Sequence, residues 1–491
     1  MKMKLEPRNE RERSKRQAPS SRPQTFRGHG ASASVWGLRL LGSLVLFALT
    51  GWAKDLKLVT LDPGHFHAAL FQREMLPGVS SKVYVYAPLG PDLAAHLNRV
   101  AKFNLRRDNP THWQLKVRTT PHPLERLLAE RRGNVVVLSG NNRGKIDRIE
   151  AIVRARLNVL ADKPWVIEPD ALPKLQLALD TADKRRVIAY DAMTERFEIS
   201  CLLQRELVND RDVFGEPLKG TSDEPGVLLE SLHYLMKEVG GVPNLRPVWF
   251  FDIHQQGEGL ADVGTHLVER AQWTLFPDAA IDHRYDIVVL RGARWPTVLE
   301  RAQFLRVTGA AEFPDFLREV VKGDQLEYFC NNSVTYTLRG IHVKVGVRWE
   351  FESPAGGKDS VLTVFRGSKS RIEARPGEAG QFQPELFVIP ASENDKVAVR
   401  NALGRKIDAL QKSFPGVALE EQSGGFHVVI PDALRTGHEA HFALVCRRFL
   451  DYVRDPKSLP AWEKPNMLAK YFVTTKGIEL ARKAAVKPST P

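Results

Sequence analysis

The sequence predicts an α/β chain. Its first half reads as a doubly wound parallel sheet covered by helices on both faces. Its second half reads as an α+β region built on a large open, mainly antiparallel sheet. Three observations predict this. Short apolar runs alternate with helical segments from residue 57 to residue 190. Most runs close on a turn rich in Gly, Pro, Asn or Asp. Beyond residue 286 several runs alternate apolar and polar residues, as half-exposed antiparallel strands do.

In order, the expected strands of the first half are Lys57–Leu61, Lys82–Tyr86, Gln114–Arg118, Asn134–Leu138, Asn158–Ala161 and Val187–Tyr190. The expected helices between them are Ala68–Met75, Pro91–Val100, Leu124–Arg131, Lys145–Arg156 and Leu172–Asp183. In the second half Phe197–Val208 reads as a helix, and Arg246–Ile253 as a strand leading into a helix that follows Gly259. Further strands are expected at Asp286–Leu290, Val334–Leu338, Ile341–Trp349, Ser360–Phe365 and Ser370–Ala374. Gly437–Leu450 reads as a helix, and the Pro- and Lys-rich stretch 454–491 as an extension over the surface. The expected organisation is a leader at 1–53, a doubly wound domain of the dinucleotide-binding type at 54–195, an α+β domain at 196–453, and the extension at 454–491.

The composition of the 491 residues, 43% apolar and 26% charged, is globular and excludes global disorder and a polytopic membrane protein. Ten Lys/Arg against three Glu in residues 1–53 carry +7 of the formal charge of +13. The remaining basic excess is mild, so nucleic acid is not an expected partner. The three cysteines exclude a disulfide scaffold and a four-cysteine zinc site. The leader has the order of a secretory signal: a charged region, the apolar run Leu40–Leu49, then Gly51-Trp52-Ala53. Export to a periplasmic or extracellular site with cleavage after Ala53 is expected, the alternative being an uncleaved membrane anchor.

In such sheets ligands bind beyond the carboxyl ends of the strands. The turn after the first strand, Asp62-Pro63-Gly64-His65-Phe66-His67, stands where a dinucleotide fold carries G-x-G-x-x-G, yet it holds a single glycine. The second strand ends on Tyr86-Ala87-Pro88, without the acid that commonly binds ribose hydroxyls. Gly64, His65, Phe66 and His67 are cofactor candidates, as are Asn141 and Asn142 after the fourth strand. His65-x-His67 also has a metal reading and a purely structural one; no further ligand cluster appears at later strand ends, and no metal is expected. His438-Glu439-Ala440-His441 falls one residue short of H-E-x-x-H.

Two segments carry chemistry. The fifth strand ends in Asp162-Lys163-Pro164. The helix after Gly259 places Asp262 and His266 at i and i+4, on one side. A carboxylate one turn from an imidazole favours its protonated form and orients the ring. A Lys–His pair over a nicotinamide can bind a substrate hydroxyl and take its proton as hydride leaves the carbon. Each residue also has a bland reading: a helix-surface pair for Asp262 and His266, a solvated turn for Lys163. Arg196, His233, Gln255 and Gln256 are candidate substrate contacts, with an ion pair as the alternative for Arg196.

These residues resemble the Gfo/Idh/MocA family of glucose–fructose oxidoreductase, inositol dehydrogenase and relatives. The family's Glu-Lys-Pro corresponds to Asp162-Lys163-Pro164, and its Asp-x-x-x-His helix to Asp262 through His266. Leu61–Leu70, Gln255–Gly259 and Pro465–Tyr471 are similar to the subgroup with the putative oxidoreductase C-terminal domain. The resemblance implies a Rossmann-like nucleotide domain and an open sheet that often forms a subunit interface, hence a homo-oligomer. It implies Lys163 as substrate and nicotinamide orienter, His266 as general acid/base and Asp262 as its support. Asp162, Lys163 and Pro164 are then cofactor-binding as well.

The expected function is an exported oxidoreductase using NAD or NADP, with NAD preferred and tight binding in view. Its substrate is the secondary alcohol or ketone of a sugar, polyol or derivative. The alternatives are a non-catalytic sugar-binding or scaffold protein, a redox-neutral NAD-dependent glycoside cleavage, and a metal-dependent hydrolase.

Overall fold

The computed structural model describes residues 56–485, apart from 240, 241, 244, 355, 356 and 378–382. The expected leader lies outside the described residues. No described helix is long and apolar enough to cross a membrane.

The first sheet is parallel and has six strands: β1 (Leu58–Leu61), β2 (Lys82–Ala87), β3 (Gln114–Thr119), β4 (Val135–Leu138), β5 (Asn158–Ala161) and β6 (Ala189–Asp191). Their order is β3-β2-β1-β4-β5-β6, so the winding reverses between β1 and β4. β1 and β4 are buried along their whole length, which is why they read as continuous apolar runs. The helices are α1 (His67–Leu70), α2 (Pro91–Leu105), α3 (Pro123–Glu130), α4 (Lys145–Arg154) and α5 (Leu172–Arg185). Pro91 and Pro123 open their helices where the missing N–H is not needed. α1 is a single turn, shorter than the expected Ala68–Met75. The chain turns away there because Gln72 is drawn inward, its carbonyl accepting from Trp113 Nε1 at 2.7 Å.

The second sheet has ten strands. β7 (Val227–Met236) lies at its centre, and a two-strand ribbon, β8 (Glu238–Val239) and β9 (Val242–Pro243), follows it. Then come β10 (Ile287–Glu300), β11 (Val321–Lys322), β12 (Gln325–Leu338), β13 (Ile341–Glu352), β14 (Ser360–Arg366), β15 (Ser370–Pro376), β16 (Pro384–Pro390), β17 (Ala418–Gln422) and β18 (Gly425–Val429). The order is β10-β12-β13-β7-β14-β15-β16-β18-β17, with β11 on β12, and only β7–β13 is parallel. Helix α6 (Ile199–Val208) lies between β6 and β7 in sequence, α7 (Gly259–Asp262) and α8 (Gly264–Leu275) lie between β9 and β10, and α9 (Arg301–Thr308) and α10 (Lys396–Leu410) follow. Residues 246–253, expected as a strand, form instead a 3₁₀ turn at Val248–Phe251. Phe250 and Phe251 turn into the core together, and Trp249 donates to Asp92 Oδ2 at 3.3 Å, which a flat strand does not allow.

The last two helices return to the first sheet. α11 (His438–Arg454) brings Phe442, Val445, Cys446 and Phe449 into one core with Leu58 and Val83. The expected surface extension is instead mostly α12 (Glu463–Ala485), and it is buried. Met467, Leu468 and Tyr471 of α12 join the core of the first sheet, whereas Ala469, Val473 and Ile478 join that of the second. Gly477 and Gly292 allow this: a Cβ on Gly292 would stand 2.1 Å from the Gly477 carbonyl oxygen. All three cysteines are buried and unpaired.

Candidate active site

Five side chains converge on the end of β5. Asp162 is 2% exposed and Lys145 fully buried. Lys145 Nζ donates to Asp162 Oδ1 at 2.7 Å and to its carbonyl at 3.1 Å. Ser139 Oγ donates to Oδ2 at 2.7 Å; His67 Nδ1 lies 3.1 Å and His65 Nδ1 3.4 Å from the same oxygen. Burial pushes the Asp162 carboxyl up, but Lys145 and the two imidazoles outweigh it and hold the carboxyl well below the usual range. Burial depresses both histidines, so they stand as neutral rings.

Asp162, expected as a cofactor ligand, is an internal hub whose carboxylate is met by Lys145, Ser139 and His67. Lys145 was not anticipated. The signal was present, because it shares one helix face with Ile149 and Ile152, four and seven positions on. The cluster His65, His67 and Asp162 has the spacing of a metal site, its ligand atoms within 4.8 Å of one another. The Lys145 ammonium, however, already supplies the cation that neutralises Asp162.

The next residue, Lys163, turns the other way. Its ammonium pairs with Asp262 Oδ1 at 2.5 Å, joining the first sheet to α7 across 99 positions of sequence. Pro164 follows in a cis peptide and is buried. Burial raises the Asp262 carboxyl, but Lys163 overcomes this and holds it below the ordinary value. Asp262 was expected to support His266, and it does not. A break at Val263 separates α7 from α8, and the His266 N–H bonds the Val263 carbonyl at 3.0 Å. His266 Nδ1 is buried without a hydrogen-bond partner among the described residues. Burial, then the nearby Lys163, His438 and Lys470, depress the ring well below its ordinary value, the opposite of the protonated form expected.

Other expected contacts are taken up by the protein itself. Asn141 Nδ2 donates to Gln255 Oε1 at 2.6 Å, and Asn142 Nδ2 to the Gln256 carbonyl at 2.8 Å. These four residues, expected at the cofactor (Asn141 and Asn142) and at the substrate (Gln255 and Gln256), clamp the end of β4 to the segment before α7. Arg196 forms ion pairs with Glu269 and, at 2.6 Å, with Glu463; the ion-pair alternative is what the structure shows. His233 Nδ1 bonds Asp359 at 2.9 Å, while its Nε2 is buried and unpartnered. The rings of His65, Phe66 and His67 pack against one another, each imidazole 4.5 Å from the Phe66 ring. A Cβ on Gly64 would sit 3.1 Å from Asp92 Oδ2 and 3.4 Å from Gly140 Cα, so the loops after β1 and β4 meet closely at the winding reversal.

Behind His266, α12 carries a charged latch. Lys470 Nζ bonds Asp191 at 2.9 Å and Glu269 at 3.1 Å, and the Tyr471 hydroxyl donates to Asp191 at 2.8 Å while accepting from the Trp165 N–H at 3.0 Å. None of this was legible, since Lys470 reads as one more surface lysine.

Residues 203–482 match the family model described as "Putative oxidoreductase C terminal domain". A crystal structure of a putative oxidoreductase from Parabacteroides merdae is 44% identical, covering 88% of this chain and 98% of that one, with a TM-score of 0.85. The chain belongs to the Gfo/Idh/MocA family of oxidoreductases. More distant family folds include GenD2 from gentamicin A biosynthesis in complex with NAD, at 16% identity and a TM-score of 0.53 over 91% of this chain and 98% of that one. A variant of a 3-ketoreductase from Actinomadura kijaniata, in complex with TDP-benzene and NADP, is 14% identical with a TM-score of 0.53 over 87% and 98%. At such identities these two share the fold alone. No curated protein matches the chain. Within the Gfo/Idh/MocA frame, the Rossmann-like six-strand sheet and the large, mostly antiparallel sheet are the two parts of one oxidoreductase.

Proposed function

We propose that this protein moves hydride between a nicotinamide dinucleotide and the secondary alcohol or ketone of a sugar, polyol or derivative. One observation carries the proposal: Lys163, fixed by Asp262, shares its surroundings with a neutral His266 whose Nδ1 has no protein partner. A neutral imidazole accepts a proton at neutral pH, and an anchored ammonium hydrogen-bonds a substrate oxygen without needing to be reoriented. In the oxidative direction His266 takes the hydroxyl proton while Lys163 holds the oxygen; in the reductive direction His266 returns it.

The residues fit the reactive end of such a cofactor better than its phosphates. Lys163 lies at the carboxyl end of β5, where this sheet type binds ligands, and is close enough to the His266 ring to depress it. At the phosphate end α1 offers one turn and Gly64 is the single glycine of its loop. A dinucleotide bound here supplies the hydride acceptor or donor. The solved relatives named above that hold NAD or NADP support this choice.

Lys163→Ala and His266→Ala should each lower turnover by about 10²-fold or more while leaving the fold intact. Unchanged turnover in both would refute the roles. Denaturing the purified protein and assaying the supernatant for nicotinamide dinucleotide and for metal separates this function from a binding protein and from a metal hydrolase. Export is proposed from the leader and is checked by N-terminal sequencing of the mature protein. A homo-oligomer is proposed through the open sheet face, where Val288, Leu290, Trp295 and Val298 of β10 are exposed; light scattering after size exclusion reads its mass.

A further inference from the structure

Beside the Lys163–His266 region lies a second cavity of about 360 Å³, within the ~300–1,000 Å³ of small-molecule sites. Glu195, Ser200, Arg270, Asp359 and His438 are among the residues that line it. A separate, smaller void is lined by His266 and by Glu195, Cys201 and Arg270, which it shares with the cavity.

Its wall is built and unsatisfied. Arg270 is 6% exposed and Ser200 1%. Arg270 Nε, Ser200 Oγ and Glu195 Oε2 are buried with no hydrogen-bond partner among the described residues. Arg270 Nη2 donates to Gln204 Oε1 at 2.8 Å, which fixes the guanidinium plane, while its Nη1 stands 3.9 Å from Glu195 Oε2, too far for a hydrogen bond. Each such orphan is destabilising unless something meets it. An anion here would face Glu195 and Asp359; a cation would face Arg270; an apolar group would leave every orphan unmet. A hydroxyl both donates to a carboxylate oxygen and accepts from an N–H.

We propose that this cavity is a second carbohydrate subsite, seating a hydroxyl-bearing ring linked to the ring that reacts beside His266. The substrate is then a glycoside of two or more rings rather than a free monosaccharide, with Glu195 and Arg270 selecting for the second ring. The proposal rests on the oxidoreductase function above, which places the reacting ring at His266.

The test uses the purified full chain with glucose and galactose against maltose, cellobiose and lactose. Binding is followed by calorimetry, and oxidation by nicotinamide absorbance. At least one disaccharide should bind about ten-fold more tightly than its monosaccharides. Glu195→Gln and Arg270→Met should shrink that ratio about ten-fold, in binding and in kcat/KM. Glu195→Gln nearly preserves volume, so it keeps the test alive if the arginine variant unfolds. Monosaccharides binding as tightly as every disaccharide, or a ratio untouched by Glu195→Gln, would overturn the subsite. Preferential disaccharide binding without any redox turnover would leave the subsite standing and sink the oxidoreductase function instead.

Discussion

Asp162→Asn should destabilise the protein by about 3–5 kcal/mol, because it strands a buried ammonium. Lys145 has no access to water and reaches the Asp162 carboxylate at 2.7 Å. The amide keeps the volume and one acceptor, so the loss isolates the charge. It also turns an N–H₂ group toward Ser139 and the two imidazoles, where a carboxylate oxygen now accepts from Ser139 Oγ at 2.7 Å. Restoring neutrality should return most of the stability, so Lys145→Met combined with Asp162→Asn should be milder than Asp162→Asn alone. The Asp162 carboxyl is held below its unfolded value of about 3.9. The contribution is therefore complete above that pH and is lost as pH falls below it, so the gap between wild type and variant should close in acid. Urea unfolding followed by tryptophan fluorescence is the assay, since Trp165 lies three residues on and is fully buried. A single variant costing under about 1 kcal/mol, the size of an exposed pair, or a double variant no better than the single one, would refute the internal-hub assignment.

His96 is 2% exposed with both ring nitrogens unpartnered, and burial lowers it to about 4. Its folded value is depressed, so the stability it confers is complete above about 6.5 and is lost toward pH 4, by about 3 kcal/mol; His96→Phe should flatten that part of a Tm-against-pH curve. Gly140→Ala places a Cβ 2.4 Å from the Asp62 carbonyl oxygen and should cost about 1–3 kcal/mol in urea unfolding; a neutral result would mean that the β1 and β4 loops are not locked together. Tyr471→Phe removes one donor to Asp191 and the acceptor of the Trp165 N–H. It should lower Tm by the equivalent of about 1–3 kcal/mol, and an unchanged Tm would argue against α12 as a latch.

The first sheet was legible because its strands are short, apolar throughout and closed by turns, which leaves little else for Val135–Leu138 to be. β7 was missed. Leu228, Leu232 and Tyr234 interrupt any clean alternation in Val227–Met236, since it is the middle strand of a sheet with one partly open face. The aromatic run Trp249-Phe250-Phe251 has strand composition, but the rings of Phe250 and Phe251 pack in a cluster with Tyr328 and Trp349, which a tight turn supplies. α12 was misread for a different reason. Asn466, Lys470, Thr474 and Thr475 lie on its buried side, and polar residues look buried only once their partners are known. Those partners, Asp191, Glu269 and the Ala279 carbonyl, lie about two hundred or more positions away. The Lys163–Asp262 meeting was anticipated as a neighbourhood, but which acid paired with which base was not.

That last difference changes how the proposed acid/base would work. With its charge committed to Lys163, Asp262 is in no position to raise the basicity of His266. The imidazole is kept neutral by burial and by two flanking ammonium groups, Lys163 and Lys470. One of these stands on β5's edge and is tied to α7; the other stands on α12 and is tied to Asp191 and Glu269. The protonation state of His266 thus depends on cations delivered from both ends of the chain. A proton taken up by the ring would be repelled by both, so it is released readily once the reaction no longer holds it. A carboxylate partner, as the sequence suggested, would have trapped that proton; the observed pairing favours an acid/base that resets.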